Sequence, residues 1–169
     1  AEQVPDDFLF CPKVPQFISH RKQLAEKSEA LDEFMRHIYA FGPQLGTTFL
    51  QLPPHFGPES VRALKAFCGL WSEDLPLAIE FRHPAWFDTQ EAWDDMSDFL
   101  HQRAMGMVIS DTAGRRDVLH MRLSNAELML RFKGYGLHGT DFSRLDAWME
   151  GLRALQQQGS RRAYLCLHQ

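Results

Sequence analysis

The chain has no apolar run that approaches the ~20 residues a membrane-spanning helix needs, and its N-terminus lacks the pattern of a signal peptide. Cysteine is scarce. Cys11, Cys68 and Cys166 are far apart and odd in number, which excludes a disulfide framework and a paired-cysteine metal motif and fits reduced thiols in a cytoplasmic protein. Positive charge is in deficit as well: a net charge of −4 argues against a broad basic surface for nucleic acid and leaves room only for a local basic patch. There is no Gly-x-Gly-x-x-Gly turn behind the first strand and no phosphate-loop motif, so a nucleotide-binding open sheet is not favoured. No His-x-His or His-Glu-x-x-His spacing marks a metal site. What remains is ordinary for a soluble globular domain. The chain has 169 residues, 44% of them hydrophobic and 24% charged, enough for one domain with a real core. It opens on Ala1 without Met and enters a strand almost at once, so we expect a piece of something longer.

Strand and helix signals alternate along the chain. Residues 8–13 form a short apolar run closed by Pro12 and Pro15, read as a buried strand. Leu24, Leu31, Phe34, Ile38 and Phe41 carry helical spacing over residues 21–41, which Gly42-Pro43 ends. Residues 46–52 form the next strand, stopped by Pro53-Pro54, and Pro58 suits the first turn of a helix that carries Val61, Leu64, Phe67 and Leu70 on one face. Leu77-Ala78-Ile79-Glu80-Phe81-Arg82 begins as an apolar strand and runs into His83-Pro84-Ala85-Trp86-Phe87. Asp88 and Glu91 have the spacing of a capping box before a helix with Trp93, Met96 and Leu100. Strands are expected at 107–111, 128–132 and 163–168. Residues 117–124 read as a short helix or an irregular crossover. Ser143 and Asp146 can cap a last helix, which Gly159 closes. This alternation, repeated about six times, predicts parallel strands joined by helical crossovers. A complete (β/α) barrel has eight such units and ~250 residues. The expected fold class is therefore α/β, either a smaller sheet or a barrel missing a piece.

The blocks Phe10-Cys11-Pro12-Lys13-Val14-Pro15-Gln16-Phe17-Ile18-Ser19-His20, Gln51-Leu52-Pro53-Pro54-His55-Phe56 and Ala78-Ile79-Glu80-Phe81-Arg82-His83-Pro84-Ala85-Trp86-Phe87 resemble the YecE-like proteins, the domain family of unknown function numbered 72. Residues 110–117 and Arg131-Phe132-Lys133-Gly134 continue the likeness, in the same order and along the whole chain. The resemblance implies a TIM-type barrel, incomplete here, with its first two strands and helices upstream of Ala1, and it implies no established reaction. Arg131-Phe132-Lys133-Gly134 stands where the family more often has Arg-Leu-His-Gly, which separates this chain from any role of a histidine there.

Alternate side chains on a barrel strand face the helices and the interior. Leu77, Ile79 and Phe81 form the large apolar set, which leaves Ala78, Glu80 and Arg82 facing in. The same phasing turns Lys13, Gln51, Asp111, Arg131 and His168 inward, each near the C-terminal end of its strand, where barrel active sites lie. Two chemistries follow, neither of which names a cofactor. In the first, no metal takes part. Glu80 and Asp111 divide acid and base roles with Lys13 as a third catalytic candidate, and Arg82, Arg131, Gln51, His83, Trp86 and His168 bind a small anionic or polar substrate, as in a hydrolase. In the second, Glu80, His83, Asp111, His138 and His168 supply ligand types for a divalent ion in a phosphoesterase acting on nucleic acid, a reading by fold analogy. A third reading is a non-catalytic ligand- or protein-binding module. Bland roles compete at each position: Glu80 pairing with Arg82, Asp111 capping a turn, Gln51 satisfying backbone groups, and Trp86 covering the mouth as a lid.

Overall fold

The computed structural model describes residues 4–20, 24, 28–157 and 162–168. Five parallel strands, β1 (Thr48–Gln51), β2 (Leu77–Glu80), β3 (Gly106–Thr112), β4 (Glu127–Lys133) and β5 (Arg162–His168), stand side by side in chain order. Helices α1 (Gln16–Ser19) and α2 (Glu29–Tyr39) precede β1; α3 (Val61–Leu70), α4 (Gln90–Gln102) and α5 (Gly139–Gln157) follow β1, β2 and β4. Between β3 and β4 only a 3-10 turn, Arg116–Val118, interrupts an irregular crossover. The sheet curls like half a barrel, with a concave inner face and an outer face under the helices. Phe49, Ala78, Val108 and Met129 pack on the inner face, with Cys11 and Tyr164 against them. On the outer face, Leu77, Ile79 and Met107 join Leu31, Ile38, Leu64, Phe67, Trp93, Met96 and Leu100, while Leu128, Leu130 and Phe132 join Trp148.

Local chemistry moved several boundaries away from the sequence expectation. The expected first strand is an extended segment with two isolated parallel bridges, Phe10 to Leu45 and Lys13 to Phe49. Pro12 has no N–H to extend the ladder, although its carbonyl still accepts from Phe49 N–H at 2.9 Å. So five strands and one bridged segment replace the six strands anticipated. Helix α2 begins at Glu29, where the Ser28 hydroxyl accepts the Leu31 N–H. The earlier part of that expected helix, 21–23 and 25–27, lies outside the described residues, as does Gly159. The Asp88–Glu91 capping box does not form, because the helix starts one residue later, with Thr89 at the N-cap and no side-chain cap. Likewise Ser143 is inside α5, its hydroxyl donating back to Thr140 O. That helix starts at Gly139, five residues sooner than a Ser143 cap would give, because His138 Nδ1 accepts the Thr140 N–H and the Asp141 carboxylate accepts that of Tyr135. Among the described residues no helix is long and apolar enough to cross a membrane.

Candidate functional site

At the C-terminal ends of the strands lies a cavity of about 390 Å³, whose polar lining includes Gln51, Glu80, Arg82, Ser110, Arg131 and Lys133. That volume lies at the lower end of the range of small-molecule sites. Its centre is the Glu80 carboxylate, 4% exposed at the last position of β2. A buried carboxylate persists only when it is paired and hydrogen-bonded, and Glu80 is both. Gln51 Nε2 donates to its two oxygens at 3.0 Å each, Ser110 Oγ donates at 2.9 Å, and Arg131 closes an ion pair. The Gln51 amide is thereby oriented with its oxygen outward, where it accepts from Lys13 Nζ at 2.8 Å. Register supports this, since Gln51 stands directly beside Glu80, and Ser110 beside Arg131. Arg131 also lies over the Phe49 ring at 5.0 Å and reaches His168 Nε2 at 3.4 Å. Arg82, just past the end of β2, and Lys133 donate no side-chain hydrogen bond to a described residue.

Positive charge dominates this mouth. The Lys13 ammonium is held below its ordinary range, first by burial and then by the nearby Arg131 charge, with Glu80 opposing and Arg82 adding to the effect. His20 is lowered too, by burial and by Lys13, Arg82 and His55 in turn. These shifts mark neighbours that repel further positive charge.

Of the residues singled out from sequence, Lys13, Gln51, Glu80, Arg82, Arg131 and His168 share this mouth, and Asp111, His83 and Trp86 do not. The correction to Asp111 matters most. Its side chain lies behind the sheet, 1% exposed, accepting from Trp148 Nε1 at 2.7 Å, from Arg144 Nη2 at 2.8 Å and from Arg116 Nη1 at 3.1 Å. Glu80 and Asp111 therefore open onto opposite faces and cannot act as an acid/base pair. The phase of β3 is not marked in its sequence because Met107, Val108 and Ile109 are all apolar. A parallel strand covered on both faces carries no alternation, and Val108, packed with Ala78 and Met129, is what sets Ser110 inward. Trp86 neither covers the mouth as a lid nor reaches a substrate there: it is 1% exposed, edge-on to Phe81 with ring centroids 5.0 Å apart, and its indole N–H donates to Phe56 O at 2.8 Å. His83 uses Nδ1 to accept the Ala85 N–H and start the 3-10 turn Pro84–Trp86. Glu80 pairs with Arg131 rather than with Arg82, and the Gln51 amide serves side chains rather than backbone. The five ligand-type residues of the metal reading are spread over both faces and the rim. Among the described residues no three His, Cys, Asp or Glu groups could hold a metal ion.

Sequence reasoning missed Ser110 and Lys133. Lys133 was legible, since it lies two residues beyond Arg131 on the same face of β4. The turn from β4 to α5 has its own signal, Gly134, Gly136 and Gly139 in Gly-x-Gly-x-x-Gly spacing between a strand and a helix, the arrangement of phosphate-cradling turns. Here several of the amides are spent internally: Gly134 N–H donates to His168 O, Tyr135 N–H to Asp141, and Thr140 N–H to His138. Gly136 has φ +62° and Leu137 φ +63°, so the glycine there relieves a left-handed turn.

Two crystal structures of DUF72 family proteins, from Enterococcus faecalis V583 and Thermotoga maritima MSB8, each superimpose with a TM-score of 0.77 at 21% identity over 99% of the chain, covering 73% and 69% of theirs. At that identity they show the fold alone. UPF0759 protein YecE of Escherichia coli K12 is 36% identical over 111 residues, which is 66% of this chain and 41% of that protein. The matched stretch is thus well under half of that relative. The profile "Protein of unknown function DUF72" matches residues 1–169, and the chain therefore belongs to the DUF72 family.

Proposed function

We propose that the mouth binds a small anionic molecule, such as a phosphorylated or carboxylated metabolite, and that Glu80 organises the site rather than acting as one half of a carboxylate pair. One observation carries this reading. Three cations, Arg82, Arg131 and Lys133, line one cavity, a fourth, Lys13, sits on the Gln51 amide beside it, and among the described residues Glu80 is the only carboxylate lining it. Guanidinium and ammonium groups are the usual holders of carboxylate and phosphate. Glu80 fixes the orientation of Arg131 and of the Gln51 amide, which in turn fixes Lys13. A hydrolase with paired carboxylates lacks its second member in this arrangement, and a metal-dependent phosphoesterase lacks a converging ligand set among the described residues. A ligand-binding role needs neither. Complete barrel closure by further strands would narrow the same mouth, and belongs to this reading.

The test is a titration of the full chain with inorganic phosphate followed by amide chemical shifts. Saturable shifts at Lys13, Arg82 and Lys133 are expected, lost in Lys13→Met/Arg82→Met and kept in Asp111→Asn. A linear, unsaturating response in the unaltered chain, or equal response in the double variant, would sink the proposal.

A further inference from the structure

Resting on the anion-site reading above, we infer that the mouth selects a doubly charged phosphate monoester over singly charged anions, including the phosphodiesters of a nucleic-acid backbone. The charge arrangement carries this. Arg131 and Glu80 form an ion pair and largely cancel. Lys13, Arg82 and Lys133 have no carboxylate partner among the described residues; Lys13 donates only to the neutral oxygen of Gln51. Two uncompensated cations, Arg82 and Lys133, therefore line the cavity with a third, Lys13, beside it, and among the described residues no acidic group lining it is left to balance them. Burial is the main cause of the depressed pKa values of Lys13 and His20, and the neighbouring charges, Arg131 and Arg82 at Lys13 and Lys13 and Arg82 at His20, act in the same direction.

A monoester near neutral pH carries close to two charges on three terminal oxygens. That matches the three cationic groups without a carboxylate partner among the described residues, Lys13 Nζ, which keeps two N–H groups beyond its bond to Gln51, the Arg82 guanidinium and Lys133 Nζ. A diester brings one charge on two such oxygens and leaves two of the cations uncompensated. Attraction between charges strengthens as water is excluded, so the second charge counts for more in this cavity than on an open surface. The volume of about 390 Å³ admits a phosphate with a small organic part. Asp111, which would have cancelled one cation had it faced the mouth, is spent behind the sheet on Arg144 and Trp148.

Methyl phosphate, dimethyl phosphate and acetate, titrated separately into the full chain at pH 7.5 with amide shifts as readout, test the inference. We expect methyl phosphate to bind at least ~tenfold more tightly than either monoanion, the order of gain a second charge gives at a partly dry cationic site. Arg82→Met and Lys133→Met should each weaken methyl phosphate more than dimethyl phosphate, with thermal melting unchanged for the exposed Lys133. Equal affinity for methyl phosphate and dimethyl phosphate, or equal weakening of both in the two variants, overturns the selection for a dianion and leaves the anion site standing. If none of the three probes saturates, the anion site falls and this inference falls with it.

Discussion

Replacing Asp111 by Asn separates a structural role for this carboxylate from a catalytic one. Asp111 accepts charged hydrogen bonds from Arg144, whose side chain is 16% exposed, and from Arg116, 63% exposed, and a further bond from the Trp148 indole. Exposed pairs such as that with Arg116 contribute little, about 0–1 kcal/mol. The buried Arg144 pair is different, because deleting one charge leaves a guanidinium half-desolvated over the Phe132 ring at 4.3 Å, with only the Asp141 carboxylate, at 3.2 Å, as its remaining counter-charge. Breaking such a pair costs roughly 3–5 kcal/mol, and since Asp141 still partners Arg144 and Asn keeps one acceptor for Trp148, we expect the lower end, about 3 kcal/mol. At ~2–4 °C per kcal/mol for a domain of this size, the melting temperature should fall by roughly 6–12 °C. Urea unfolding of the single variant, Arg144→Met and the double variant measures the coupling directly.

The sign of the pH dependence follows from the Asp111 pKa. Burial alone would raise it, but the hydrogen bonds from Arg144 and Trp148 and the charges of Arg144 and Arg116 bring it below the usual 3.8. Stability from this group is therefore present above pH 3.8 and is lost as pH falls through the lower folded-state value. The Asn variant should lack that acid-limb loss while binding inorganic phosphate as the unaltered chain does. Stability unchanged to within ~0.5 kcal/mol, the scatter of ordinary surface substitutions, together with loss of phosphate binding, would refute the placement of Asp111 behind the sheet.

Two further outcomes probe other buried polar groups. Glu80→Gln leaves Arg131 without its partner beside Lys13 and should cost about 3 kcal/mol, whereas Glu80→Gln/Arg131→Met, which removes both charges, should recover part of that loss in urea unfolding; a double variant worse than the sum of the singles would contradict the pairing. His120 is buried between Phe87 and Trp93, with its Nε2–H donating to Val108 O at 3.0 Å and Nδ1 accepting from Arg122 N–H. Burial is the main cause of its depression from 6.5 to about 4. Between those values the unfolded chain binds the extra proton, so stability should fall as pH drops through this window, by up to ~3 kcal/mol, and His120→Gln should flatten the dependence there.

Much of the architecture was decided by local rules that a single chain displays. Proline pairs stop β1, alternating apolar runs and helical stripes announce parallel strands with crossovers, and the blocks around Lys13, Gln51 and Glu80 announce the family. The phase of β2 was legible because Leu77, Ile79 and Phe81 are large while Ala78 and Glu80 are not. The phase of β3 was not, because Met107, Val108 and Ile109 satisfy either face, and only packing of Val108 against Ala78 and Met129 decides that Ser110, not Asp111, meets Glu80. Helix boundaries moved for a similar reason: His138 and Asp141 cap α5 through bonds made only once the turn exists. Trp86 shows the same limit, since nothing in Arg-His-Pro-Ala-Trp says whether the indole covers a mouth or donates to Phe56 O beneath the helices. The sequence alone thus determined which residues could carry chemistry and on which strands they lie. The tertiary structure decided which of them meet, because on a strand buried on both faces the side-chain direction is set by its neighbours' packing and not by its own alternation.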